Sequence, residues 1–178
     1  MFRSKLSTLP EGSLLERYLA REGCYTDCFS IEVNGPTNLA AYIDAFFDSW
    51  VFRIERRVLT LIGKGPATKH DVAALATGDA ERFAAWTVTG RDDTQLLMTV
   101  PDTPIRTWLR VLPDTHRSRG VRLYFGSALV PPTPKDGAPA RLPPVFRCTM
   151  GFHRLYSQVL LDAAARRFGR ALPAASTT

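Results

Sequence analysis

Residues 152–156 read FHRLY, a histidine, an arginine and a tyrosine within little more than one turn of a predicted helix. A histidine exchanges protons near neutrality, and a buried tyrosine keeps its hydroxyl beside a partner or a ligand. Either His153 or Tyr156 could serve as the general acid–base of a cyclase- or hydratase-type enzyme. Such chemistry needs a group that orients or charges the proton carrier. On this helix none is at hand, because Asp162 is more than two turns from His153 on another face. The inner faces assigned to the strands show no carboxylate either, which counts against the enzyme. The plain alternative makes His153 a boundary residue and Tyr156 a core residue with a satisfied hydroxyl.

Other chemistries find less support. Cys24, Cys28 and Cys148 cannot form a closed disulfide set. If Cys24 and Cys28 share a strand, four residues at about 3.4 Å each place them about 13 Å apart, beyond the roughly 7 Å Cα limit of a disulfide. His70, His116 and His153 are scattered singly, with no metal-ligand spacing. No GxGxxG, P-loop, GxSxG or HExxH motif occurs. The GKGP at residues 63–66 lacks the GK[ST] of a phosphate loop, and its proline argues for a turn. No cofactor and no metal are expected.

The elements that would position the helix can be read along the chain. Residues 13–21 predict a short helix, and CYTDCFSIEV a first strand that Asn34-Gly35-Pro36 stops. Thr37 or Asn38 can cap a helix to about residue 47, followed by a second helix over about 50–62. Thr68 with Asp71 forms a capping-box pattern for a short third helix, closed by Gly78. From residue 82 the period changes to two, giving strands over 82–89, 95–100, 105–112 and 121–130. Their short connections favour antiparallel neighbours. After the proline-rich PPTPKDGAPARLPP, one long helix over about 145–170 spans roughly 39 Å at 1.5 Å per residue. A strand, helices, a meander and a closing helix make an α+β pattern.

Alternation assigns the faces. Ile105, Thr107, Leu109 and Val111 fall on one side, with Val121, Leu123, Phe125 and Ser127, and with Trp86, Val88, Leu96 and Met98. The other side carries Arg106, Trp108, Arg110, Arg122 and Tyr124. That mixture could stack bases and bind phosphates, but it equally suits an exposed face covering itself with cation–π pairs. The aromatic motif of RNA-binding sheets is absent, so nucleic acid is not the expected partner. On the last helix, Phe152, Leu155, Tyr156, Val159 and Ala163 form a stripe expected to face the sheet. Leu161, Ala164 and Phe168 lie on the opposite side and call for a second cover, from the early helices or from another subunit as a homodimer through this helix.

The composition, 45% apolar and 22% charged over 178 residues, is that of a soluble globular domain. The net charge of +6 is carried mostly by arginine and contains no long block of one sign. Nothing resembles a signal peptide, and no run approaches the roughly 18 apolar residues of a membrane span. A cytoplasmic protein with no membrane partner is expected.

The segments RFAAWTV, TWLRV, VRLYFGSALV and FHRLYSQVLLDAAARR, within residues 24–170, carry a resemblance to an uncharacterised bacterial domain-of-unknown-function family. Members occur alone or behind short-chain reductase-like domains. The arrangement resembles the helix-grip fold of the START and polyketide-cyclase (SRPBCC-like) superfamily, with an extra short helix over 68–77 and a shorter sheet. The expected organisation is residues 1–22 as an N-terminal extension with a short helix, 23–170 as a single domain that the resemblance makes helix-grip-like, and 171–178 as a disordered tail. The resemblance implies an antiparallel sheet packed on a long C-terminal helix, with two to three helices inserted after the first strand. The fold likeness further implies a pocket between sheet and helix for a hydrophobic small molecule, and the inner faces offer Trp86, Met98, Leu109, Phe125, Phe152 and Tyr156 as its expected walls. A protein-interaction module is the third reading, through the Arg–Trp face or the second helix face.

Overall fold

Period-two alternation from residue 82 onward builds a sheet, and the computed structural model shows how far it extends. It describes residues 2–52, 68–114, 120–132, 142 and 144–168. The strands are β1 (Lys5–Leu6), β2 (Tyr25–Asn34), β3 (Arg82–Phe83), β4 (Trp86–Arg91), β5 (Gln95–Thr99), β6 (Ile105–Pro113) and β7 (Gly120–Leu129). The helices are α1 (Leu39–Phe47), α2 (Lys69–Thr77) and α3 (Pro144–Ala165). Residues 50–52 are helical, and the remainder of the expected second helix lies outside the described residues, as does the expected tail. The strands form one antiparallel sheet in the order β1-β2-β7-β6-β5-β4-β3, so the first long strand pairs with the last. This is an α+β fold with a helix-grip-like layout.

Local chemistry fixes the short helices. Asn38 Oδ1 accepts from Ala41 N at 2.8 Å and starts α1. The Thr68–Asp71 capping box starts α2, and Gly78, at φ 92°, ends it in the left-handed region. The strand expected over 82–89 is instead a tight hairpin, because Ala84 takes φ 50° and folds Phe83 back onto Trp86. That turn and the N-terminal β1 raise the strand total above the shorter sheet expected.

The inner sheet face follows the alternation. Trp86, Leu96, Met98, Leu109, Val111, Leu123 and Phe125 are buried in the main core with α1, α2 and α3. Phe46, Phe47 and Phe52 pack ring against ring at its centre, and Phe46 meets Phe125 at 5.1 Å.

The outer face departs from expectation. Trp108 and Tyr124 are buried beneath the N-terminal segment, in a second core with Leu15, Cys28, Leu97, Ala128 and Val130. The segment expected to fold as a helix over 13–21 keeps only one 3-10 turn, Glu16–Tyr18, because it lies flat across the sheet. Gln95, buried in β5, holds it there by accepting from Leu14 N and donating to Gly12 O. Arg110 Nη1 donates to the carbonyl of Glu11, and Arg122 pairs with Glu32 and Asp114. The outer arginines are thus engaged with the chain itself.

α3 is rotated from its expected seat. Leu160, Leu161, Ala164 and Ala165 are buried, along with Ser157, whereas Phe152 and Leu155 are 71% and 47% exposed. The stripe of Phe152, Leu155, Tyr156, Val159 and Ala163 therefore does not form the buried face. Leu161 and Ala164, expected to need a second cover, lie in the main core, and Arg167 binds Asp44 and Asp48 beside α1. The other side of α3 meets the N-terminus, where the Asp162 carboxylate accepts from Arg3 N and Ser4 N at 2.9 and 2.8 Å.

Candidate functional site

The pairing register decides which polar residues meet. Asp27 of β2 stands directly across from Ser127 of β7, and Ser127 across from Thr107 of β6. All three belong to the inner face, one step along from the apolar row Phe29–Phe125–Leu109. A polar row therefore crosses the sheet under α3. His153 lies one turn before Ser157 on the helix's buried side, so it comes down onto this row.

The contacts form one chain. Ser127 Oγ donates to Asp27 Oδ1 at 2.6 Å and lies 2.7 Å from His153 Nε2. His153 Nε2 is 3.7 Å from Asp27 Oδ2. Tyr25 Oη donates to that same Oδ2 at 3.1 Å and accepts from Arg154 Nε at 3.0 Å. The Arg154 guanidinium also stands over the Tyr25 ring, 5.9 Å from its centroid. At the other end of the row, Thr107 Oγ1 accepts from Trp86 Nε1 at 3.3 Å.

Burial grades the cluster. The Asp27 side chain is 2% exposed and that of His153 31%, so the acid forms the floor and the imidazole faces outward. Burial pushes the Tyr25 phenol up, Arg154 pulls it back, and the Asp27 charge pushes it up again, with a net rise. Tyr25 thus stays protonated at neutral pH and remains a donor to Asp27. The Tyr25 hydrogen bond raises Arg154, which stays a cation at the rim.

Cys28, beside Asp27 but on the opposite face, is pushed up to about 12 by burial and then by the Asp27 charge. Above the ordinary thiol range the unfolded chain sheds this proton while the folded chain keeps it, so stability must fall as pH rises. The expected slope from pH 9 to about 12 is a loss of about 1.4 kcal/mol per unit. Urea unfolding across that range should show this loss reduced in Cys28→Ala.

Two expectations are corrected by this geometry. A carboxylate, Asp27, does stand on the inner face, and His153 does have partners, supplied by strands rather than by its own helix. Of the six expected pocket walls, Trp86, Met98, Leu109 and Phe125 lie together in the main core. Phe152 and Tyr156 instead stack on each other at 6.3 Å, with Phe152 turned to solvent and Tyr156 half-buried. The signal for Asp27 was present in β2, where it falls in phase with Phe29, Ile31 and Val33. A charge in step with core residues is anomalous unless a partner awaits it. Nothing local marks Arg154 as belonging to the cluster, because Tyr25 is distant in sequence.

Among the described residues, no group of three or more His, Cys, Asp or Glu is placed to hold a metal ion, and no helix is long and apolar enough to cross a membrane. Compared with family models, curated proteins and solved structures, the chain finds no match.

Proposed function

We propose that the chain takes up a hydrophobic small molecule between the sheet and α3 and acts on it by proton transfer at His153, as a cyclase or hydratase does. The observation that carries this reading is the contact of the partly exposed His153 with Ser127 above the buried Asp27 carboxylate. A general acid–base works best where one side meets solvent or substrate and the other meets a fixed charge. Trp86, Met98, Leu109 and Phe125 are closed in the main core and back the polar row, while Phe152 and Tyr156 form the rim that a ligand meets. Apolar contact supplies binding at about 25 cal/mol per Å² buried, while the polar row sets orientation.

The test purifies wild type and His153→Ala from the native host, extracts each with organic solvent, and compares native mass spectra. The variant should retain a hydrophobic compound that added wild type converts to an isomer or to a product differing by one water. A retained compound that wild type leaves unchanged removes the chemistry and keeps the binding. Clean apo-protein in both preparations overturns the reading.

A further inference from the structure

The order of the contacts in this cluster differs from that of a serine-nucleophile triad, and the difference fixes who gives protons to whom. In such a triad the acid contacts one imidazole nitrogen and the serine hydrogen points at the other. Here Asp27 and His153 both contact Ser127. A carboxylate only accepts, and a serine hydroxyl has a single hydrogen. The 2.6 Å bond to Asp27 Oδ1 uses that hydrogen, so the 2.7 Å contact between Ser127 Oγ and His153 Nε2 requires the hydrogen on Nε2. Tyr25 also donates to Asp27 and takes its own hydrogen bond from Arg154. Every donor in the chain points toward Asp27.

We infer that Ser127 and Asp27 are positioning residues that hold His153 as the Nε2–H tautomer, that Nδ1 is the nitrogen exchanging protons with the substrate, and that Ser127 is not a nucleophile. The inference rests on the acid–base reading of His153 and narrows its chemistry to proton transfer without an acyl-enzyme. Among the described residues nothing hydrogen-bonds Nδ1, which leaves its lone pair for substrate. In the forward step Nδ1 takes a proton from a substrate C–H or O–H, and the ring becomes an imidazolium. Its Nε2–H keeps the bond to Ser127, and its new charge faces Asp27, whose Oδ2 is 3.7 Å away. Nδ1 then returns the proton to a second substrate atom, so enzyme and proton balance are restored.

The tautomer can be read without any substrate. Protein labelled with ¹⁵N-histidine is examined by long-range ¹H–¹⁵N correlation at alkaline pH, where a neutral imidazole is observed, and His153→Gln assigns the resonances. Wild type should show one Nε2-protonated ring. Ser127→Thr, which keeps the hydroxyl, should retain that signature, and Ser127→Ala should lose it to a mixture of tautomers while far-ultraviolet dichroism stays native. If Ser127→Ala fails to fold, the comparison of wild type with Ser127→Thr still decides. A fluorophosphonate probe should leave Ser127 unlabelled. An Nδ1-protonated ring in wild type, an unchanged tautomer in folded Ser127→Ala, or a phosphonylated Ser127 overturns the inference. The two proposals fail distinguishably: a reversed tautomer with a converted host compound removes only this one, and the expected tautomer with no compound removes the function above and with it the role of Nδ1 toward substrate, leaving the positioning of the ring by Ser127 and Asp27.

Discussion

Gln95→Leu is expected to lower stability by about 3–5 kcal/mol, measured as the shift in urea unfolding. Gln95 is 3% exposed, and its amide makes four hydrogen bonds. Oε1 accepts from Leu14 N and Trp108 Nε1, both at 2.9 Å. Nε2 donates to Gly12 O at 3.0 Å and Asp92 Oδ2 at 2.7 Å. Leucine fills similar space, so no large cavity opens. The cost is that of polar groups left unpaired, about 1–3 kcal/mol each. Asp92 keeps Thr94 and the backbone of residue 95, but the buried indole N–H and the N-terminal backbone lose their partners. Trp108 emission should also shift as the N-terminal segment loosens. A change below about 1 kcal/mol would mean that apolar contact alone holds that segment.

Gly126→Ala should cost about 2–3 kcal/mol and lower the melting temperature by roughly 5–10 °C. The reason is space, not backbone strain. A Cβ there would lie 2.9 Å from Leu15 Cδ2, 2.9 Å from Trp108 Cε3 and 3.0 Å from the Asp27 carbonyl oxygen. The leucine tip can turn aside, whereas the indole is packed and the third contact is backbone. Relief therefore moves β2 at Asp27, the residue that receives the Ser127 hydrogen. The variant should consequently disturb the His153 tautomer as well as stability, although residue 126 faces the opposite side of the sheet. Full wild-type stability would show that the strands separate freely at this point.

The sheet was largely legible in the sequence because its signal is local. The alternation of Ile105, Thr107, Leu109 and Val111 against Arg106, Trp108 and Arg110 survives in the fold, and Thr68, Asp71 and Gly78 mark their helix ends as they stand in the chain. Two things were not legible, and both depend on distant residues. Arg–Trp–Arg looks like an exposed face until Leu15, contributed from almost a hundred positions earlier, lies over the tryptophan. α3 has two apolar arcs, and periodicity cannot choose between them. The choice depends on the polar row of Asp27, Ser127 and Thr107, which accommodates His153 on the buried side and leaves Phe152 outside. The same row is what a reading of the helix alone could not find.

The N-terminal cover also bears on the order of assembly. Its anchors, Gln95, Trp108 and Asp162, are synthesised long after the residues they hold. A nascent chain therefore carries Leu9, Leu14 and Leu15 with nothing to lie against until β5 to β7 have emerged and paired. Contacts of such sequence separation close slowly, because the intervening loop entropy must be lost first. A segment made before the sheet becomes the piece docked after it, and during that wait the back of the young sheet, with its tryptophan, is open to other chains.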